Sequence, residues 1–320
     1  MKTLTHKQRI LLKVVESLSE NENSSRFMLV KTLFLLAQEE NVGRLIKFYN
    51  FFPYKYGPFS NVCYADLYKL EQAGLLAEDG THLTPTEAGR KAAASADRKA
   101  SMKVKRVTSR FNSDREIREY VYSKYPEYTV KSEIVPATRN KSPPALFTIG
   151  YEGRDIDSFL NTMIKNQIDL LIDVRKNPFS MNFSFTRSKL ENYLGKVDIG
   201  YTHIPELGID GESRKNLVTR RDYQMLFKRY EATTLKEHPE EVERMYMLNI
   251  VWDFQTQFYK IAIVSQCHKP KSADLPQVIE HIRANHRTWR RSQGGSPMLR
   301  SRCKPVPQRC YCQANRNAAK

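Results

Sequence analysis

Three short apolar runs in the second half of the chain each end in a cluster of polar residues. Ala145–Ile149 leads into Gly150-Tyr151-Glu152-Gly153-Arg154, residues 170–172 into Asp173-Val174-Arg175-Lys176-Asn177-Pro178, and residues 199–202 into His203-Ile204-Pro205-Glu206-Leu207-Gly208. Helical patterns separate them. Asp155 is suited to cap a helix with Ile156, Phe159, Leu160, Met163 and Ile164 on one face, and Thr186 to cap another carrying Leu190, Tyr193 and Leu194. Helical segments at 223–235 and 240–257 then precede a fourth apolar run, Lys260–Val264. Alternating strands and helices predict an α/β fold, a parallel sheet flanked by helices, with the 156–164 helix packed on the sheet. In such sheets ligands bind beyond the carboxyl ends of the strands, so the polar clusters are expected to share one edge.

The first ninety or so residues have a different period. Ile10, Leu11, Val14, Val15 and Leu18 recur at helical spacing, and Phe27, Val30, Phe34 and Leu35 repeat the pattern after the capping candidates Ser24 and Ser25. A third helix is predicted after Ser60, with Val62, Leu67 and Leu70 inward and Ala73-Gly74 as its stop. Residues 75–78 and 81–84 flank Asp79-Gly80, a hairpin dipeptide, and Thr84 with Pro85 is expected to open a further helix. Helices followed by a two-stranded wing suggest a small, mainly helical winged-helix-like domain at residues 1–95. The aromatic run Phe48-Tyr49-Asn50-Phe51-Phe52-Pro53-Tyr54 reads as core and turn packing, with a base-stacking platform as the alternative.

Residues 96–144 read as a basic linker with helical pieces, closed by Lys141-Ser142-Pro143-Pro144, and residues 145–265 as the α/β domain. The chain carries a net charge of +17, which suggests a polyanionic partner such as nucleic acid. Residues 281–320 hold ten Lys or Arg and no Asp or Glu, so a solvated basic tail explains much of that excess. No apolar run is long enough to span a membrane and the N-terminus lacks a signal-peptide core, so a cytoplasmic protein without membrane partners is expected. Five cysteines, mostly crowded at one end, do not form a secreted disulfide framework, and their spacing does not match zinc knuckles, so no metal site is assigned.

Phe147-Thr148-Ile149-Gly150-Tyr151-Glu152-Gly153, then Asp169-Leu170-Leu171-Ile172-Asp173-Val174-Arg175-Lys176-Asn177-Pro178, then Tyr201-Thr202-His203-Ile204-Pro205-Glu206-Leu207-Gly208 resemble, in order and spacing, the family known as domain of unknown function 488. The resemblance covers about 145–265 and implies an α/β fold with a polar site at those strand ends, but no settled reaction. Members of that family typically end the last strand in a Cys-His-Arg triplet, whereas here Val264 meets Ser265-Gln266-Cys267-His268-Lys269-Pro270. Residues 266–320 therefore read as a basic tail, disordered or shifted in reading frame. In the first domain, Tyr54-Lys55-Tyr56-Gly57-Pro58 before a helix ending in Leu70-Glu71-Gln72-Ala73-Gly74-Leu75-Leu76 is similar to the Panacea antitoxin domain, which implies a protein-interaction role for residues 1–95.

Asp173 is a candidate general base or metal ligand and Arg175 a bidentate clamp for a phosphate or carboxylate; the alternative is an internal ion pair fixing the loop before Pro178. His203 with Glu206 offers proton transfer near neutral pH, against a purely structural histidine. Gly150, Tyr151 and Arg154 lie in a Gly-flanked turn before a helix, a geometry that suits anions. No dinucleotide fingerprint or phosphate loop occurs, so the cofactor stays unassigned. The leading expectation is an enzyme for a phosphate-bearing or nucleic-acid-related substrate. Its rivals are a non-catalytic DNA- or protein-binding regulator and an inactive truncated family member.

Overall fold

The computed structural model describes residues 3–135, 145–215, 217–245, 248, 260–264 and 309–310. The chain divides into two compact units, Met1–Arg139 with Asp155–Lys165, and Asn140–Arg154 with Asn166–Lys320.

In the first unit, helix α1 (His6–Ser19) starts at a capping box in which Thr5 and Gln8 exchange hydrogen bonds, and buries Ile10, Leu11, Val14, Val15 and Leu18. Ser25 caps α2 (Arg26–Gln38), and α2 is buried continuously from Met28 to Leu36, which makes it the central helix of the unit. A short hairpin, β1 (Phe52–Tyr54) and β2 (Gly57–Phe59), precedes α3 (Asn61–Gln72), which Ser60 caps. Phe48, Tyr49, Phe51 and Phe52 are buried, so this aromatic run is core.

The second hairpin, β3 (Leu76–Asp79) and β4 (His82–Pro85), pairs Asp79 with His82. Its two turn residues are Gly80 and Thr81, one position later than Asp79-Gly80 suggests, because the positive φ of 59° falls on Gly80 at the first central position. β4 also runs through Pro85. The next helix, α4 (Glu87–Ala94), is therefore capped by Thr86 and not by Thr84, with the Thr86 hydroxyl accepting from the Gly89 N–H. Gly89 itself is required by packing, since a Cβ there would lie 2.0 Å from the Leu75 carbonyl oxygen.

Where a basic linker is expected, the chain forms two capped helices. Asp97 caps α5 (Arg98–Thr108) and Ser113 caps α6 (Asp114–Lys124), and Ala100, Val104, Val107, Ile117 and Val121 join the first core. Both helices are also tied to the end of α2. Glu39 accepts hydrogen bonds from Arg110, Tyr120, Lys124 and Tyr125, and Glu40 pairs with Lys103 and Arg106. Burial raises the Glu39 carboxyl, but the four donors outweigh it and hold the group down at about 2.

Helix α7 (Ile156–Lys165) belongs to this first unit, although its neighbours in sequence belong to the second. There it packs beside β1 and α3. Its Asp157 is fully buried and caps α3 from outside that helix, accepting from Ser60 Oγ (2.7 Å), the Asn61 backbone N–H and side-chain amide (both 2.9 Å) and the Val62 N–H (2.9 Å). Burial pushes this carboxyl up to about 6 against the pull of those donors.

The second unit is built on a parallel sheet of β5 (Ala145–Ile149), β6 (Leu170–Asp173), β7 (Gly200–His203) and β8 (Lys260–Val264), in the order β7-β6-β8-β5, with the two-residue β9 (Arg309–Cys310) beside β5. Helix α8 (Arg187–Gly195) buries Leu190 and Leu194, and α9 (Arg220–Ala232) with α10 (Thr234–Glu237) follows β7. One face of the sheet, Leu170, Ile172, Ile261 and Ile263, joins Ile204, Leu207, Phe227, Tyr230 and Leu235 in a second core. The remainder of the tail after Val264, with Cys267, Cys303 and Cys312, lies outside the described residues, as does part of the helix expected at 240–257. Among the described residues, no helix is long and apolar enough to cross a membrane.

Candidate functional site

The strand registers put four chain positions in one row at the carboxyl edge of the sheet. Ile149 lies opposite Val264, Val264 opposite Asp173, and Asp173 opposite His203. Asp173 and His203 are thus the last residues of β6 and β7, each one step further into the strand than the apolar runs indicate.

Asp173 and Arg175 share a face by the period of an extended chain, and they meet each other. Arg175 Nε lies 2.8 and 3.1 Å from the two carboxylate oxygens and Nη2 lies 2.6 Å from Oδ2, while the Arg175 backbone N–H donates to Oδ1 at 3.0 Å. Tyr201 adds a fifth bond, donating from its hydroxyl to Oδ2 at 2.8 Å. The third guanidinium nitrogen, Nη1, donates to the Phe185 carbonyl at 2.9 Å. Both side chains are essentially inaccessible, at 0% and 1% exposure, which is the geometry of the internal ion pair. Burial and the Asp173 charge raise the Tyr201 phenol well above its usual range, so the hydroxyl stays a donor.

The pair holds a small aromatic stack. Tyr151, from the turn after β5, stacks on Phe185 at 4.7 Å between ring centroids, and the Arg175 guanidinium sits 5.2 Å from the Tyr151 ring. Gly153 in the same turn takes φ of 71°, and the Arg154 N–H closes it onto the Tyr151 carbonyl. Gly150 sits at the start of this turn, open to a side-chain-sized space.

His203 is the half-buried polar group of the row. Its Nε2 lies 2.8 Å from the Arg175 carbonyl oxygen, which can only accept, so the proton resides on Nε2. The Nδ1 lone pair then faces Arg187 Nη1 at 3.5 Å. Arg187 is exposed at the start of α8. Glu206 lies exposed on the following turn, and among the described residues it makes no hydrogen bond with His203. The edge thus separates into a saturated layer, Asp173 with Arg175 and Tyr201, and an accessible layer, His203 with Arg187.

Tyr201, Phe185 and Arg187 escape the sequence-based set of site residues. For Tyr201 a signal exists: it stands two positions before His203 on one strand and is therefore on the same face, diagonal to Asp173. Among the described residues no cluster of three or more His, Cys, Asp or Glu is arranged to hold a metal ion.

Residues 155–268 match the family described as "Domain of unknown function DUF488". The matched stretch runs from the start of α7 through β6, β7 and β8 to His268, so it contains Asp173, Arg175, Tyr201 and His203. No curated protein and no solved structure matches the chain.

Proposed function

We propose that the carboxyl edge of the parallel sheet binds a phosphate-bearing ligand, with Arg187 as the anion contact and His203 as the group that moves a proton. The observation that carries this reading is the orientation of His203, whose Nε2 is committed to the Arg175 carbonyl while Nδ1 points at an exposed guanidinium. An oxygen of a bound phosphate placed beside Arg187 would meet Nδ1 as a neighbour, and protonated imidazole would add a second positive charge to it. Asp173 and Arg175 act as positioning residues: every nitrogen of the guanidinium and both carboxylate oxygens are already in use, so they fix the carbonyl that fixes His203. That saturation favours ligand binding over carboxylate-driven chemistry as the first property to measure.

Calorimetric titration of the purified chain with inorganic phosphate and with nucleoside monophosphates tests this. Arg187→Ala and His203→Ala are each expected to weaken binding by about tenfold, the effect of losing one charge-assisted hydrogen bond, at unchanged melting temperature. Wild-type affinity in both variants would refute the reading.

A further inference from the structure

The loop between β6 and α8 has an unusual surface. Phe179, Met181 and Phe183 are 68%, 100% and 67% exposed, and they alternate with Ser180, which is buried, and Asn182. Three large apolar side chains on one exposed loop need a reason, since such patches on soluble proteins commonly mark contact sites. The loop is braced. The Phe179 N–H donates to Asn177 Oδ1, the Asn182 N–H to Ser180 Oγ, the Asn182 amide to the Arg154 carbonyl, and the Arg187 N–H to the Pro178 carbonyl. Its far end is anchored by the buried Phe185, whose carbonyl receives Arg175 Nη1. The rings are therefore presented outward by a fixed backbone.

The charged residues of the loop itself are all basic. From Val174 to Leu190 the chain has four basic residues, Arg175, Lys176, Arg187 and Lys189, and no acidic one. Arg175 is consumed in the buried pair and Lys176 is paired with Asp210 at 3.2 Å, but Arg187 is exposed, and Lys189 Nζ stands 5.6 Å from the centre of the Phe183 ring. An open groove of about 350 Å³ reaches Phe179 and Arg187 and is lined by Pro178, Phe179, Thr186, Arg187, Ser188 and Glu191. Glu191 is the one carboxylate in that lining, and it suits the amino edges of bases and not phosphates.

Exposed rings followed by the cations Arg187 and Lys189, next to a groove with one carboxylate, match a single nucleic-acid strand: bases stack on the rings and the backbone follows the cations. We infer that Phe179 and Phe183 form a base-stacking platform for single-stranded DNA or RNA, delivering a phosphate to Arg187 and His203. This inference rests on the phosphate site proposed above and names its ligand class. A protein partner would use the apolar loop but has no need of the flanking cations.

Fluorescence anisotropy of the full chain with labelled homopyrimidine single strands, DNA and RNA, and with the corresponding duplex tests it. The variants are Phe179→Ala, Phe183→Ala, Arg187→Ala and His203→Ala. The platform predicts preference for single strands, a loss of about tenfold for each ring removed, and a steeper fall in affinity with salt for wild type than for Arg187→Ala. Wild-type affinity in both Phe variants would overturn it, because another basic surface would then carry the strand. Failure of wild type to bind any strand, with phosphate binding intact, would overturn the platform and leave the phosphate site standing. Ring-dependent binding that ignores Arg187 and His203 would support the platform and refute the phosphate site.

Discussion

Two aspartates, one in each unit, have no exposed surface, and they are handled in opposite ways. In the first, Asp157 receives only neutral donors from the start of α3, and loss of water pushes its carboxyl up to about 6. In the second, Asp173 faces a guanidinium in bidentate geometry and a tyrosine hydroxyl. Neutral donors satisfy the geometry of a carboxylate without opposing its charge, whereas a paired cation does both. Asp157 thus serves as a docking contact that pH can loosen, and Asp173 as half of a buried ion pair at the sheet edge.

The largest expected effect follows from breaking the second arrangement. Arg175→Ala leaves Asp173 buried without its counter-charge and should cost about 3–5 kcal/mol in urea denaturation, while Asp173→Ala with Arg175→Ala together should cost less than Arg175→Ala alone. A cost for the double variant equal to the sum of the Asp173→Ala and Arg175→Ala costs would mean that the pair is not coupled.

Asp157 gives the next effect, and its sign is fixed by the raised carboxyl. Between its ordinary value of 3.8 and about 6, the folded chain holds a proton that the unfolded chain has released, so stability falls as pH rises through that window and levels off above it. The span corresponds to roughly 3 kcal/mol. Asp157→Asn should remove this slope and cost about 1–3 kcal/mol, because its amide group opposes a donor from α3. An unchanged slope in a denaturation series across pH 4–7 would contradict the assignment.

Glu39 sharpens the contrast within the first unit, being a carboxylate held by cations and by tyrosines. Its lowered value means stability present above pH 4.5 and lost as pH falls toward about 2. Glu39→Gln should cost about 1–2 kcal/mol at neutral pH and flatten that acid limb. The smallest change is Tyr201→Phe, which removes one of five hydrogen bonds to Asp173 and should cost about 1 kcal/mol by thermal melting.

Much of this was legible in the residues. The alternation of β5 to β8 with helices predicted the parallel sheet, and Ser25 and Ser60 marked helix starts through their side-chain oxygens. The helices α5 and α6 were harder to see, since Lys and Arg crowd the exposed positions around Val104 and Val107 and mask a narrow apolar stripe. The placement of α7 could not be read at all: an apolar face states that a helix will be buried, not which neighbour buries it, and the deciding contact is the reach of Asp157 to Ser60. At the site, the residue types leave Asp173 and Arg175 with both roles, and their contact with each other is visible only in the distances. Tyr201 is hard to single out because a strand tyrosine reads as an ordinary β-former.

The most direct test of the account is the ¹⁵N resonance pair of the His203 imidazole, followed by NMR as inorganic phosphate and then a nucleoside monophosphate are added. The expected result is a proton on Nε2 in the free protein, with ligand moving the Nδ1 resonance and Arg187→Ala abolishing that movement. A ring protonated on Nδ1, or resonances that stay in place while ligand binds, would contradict it.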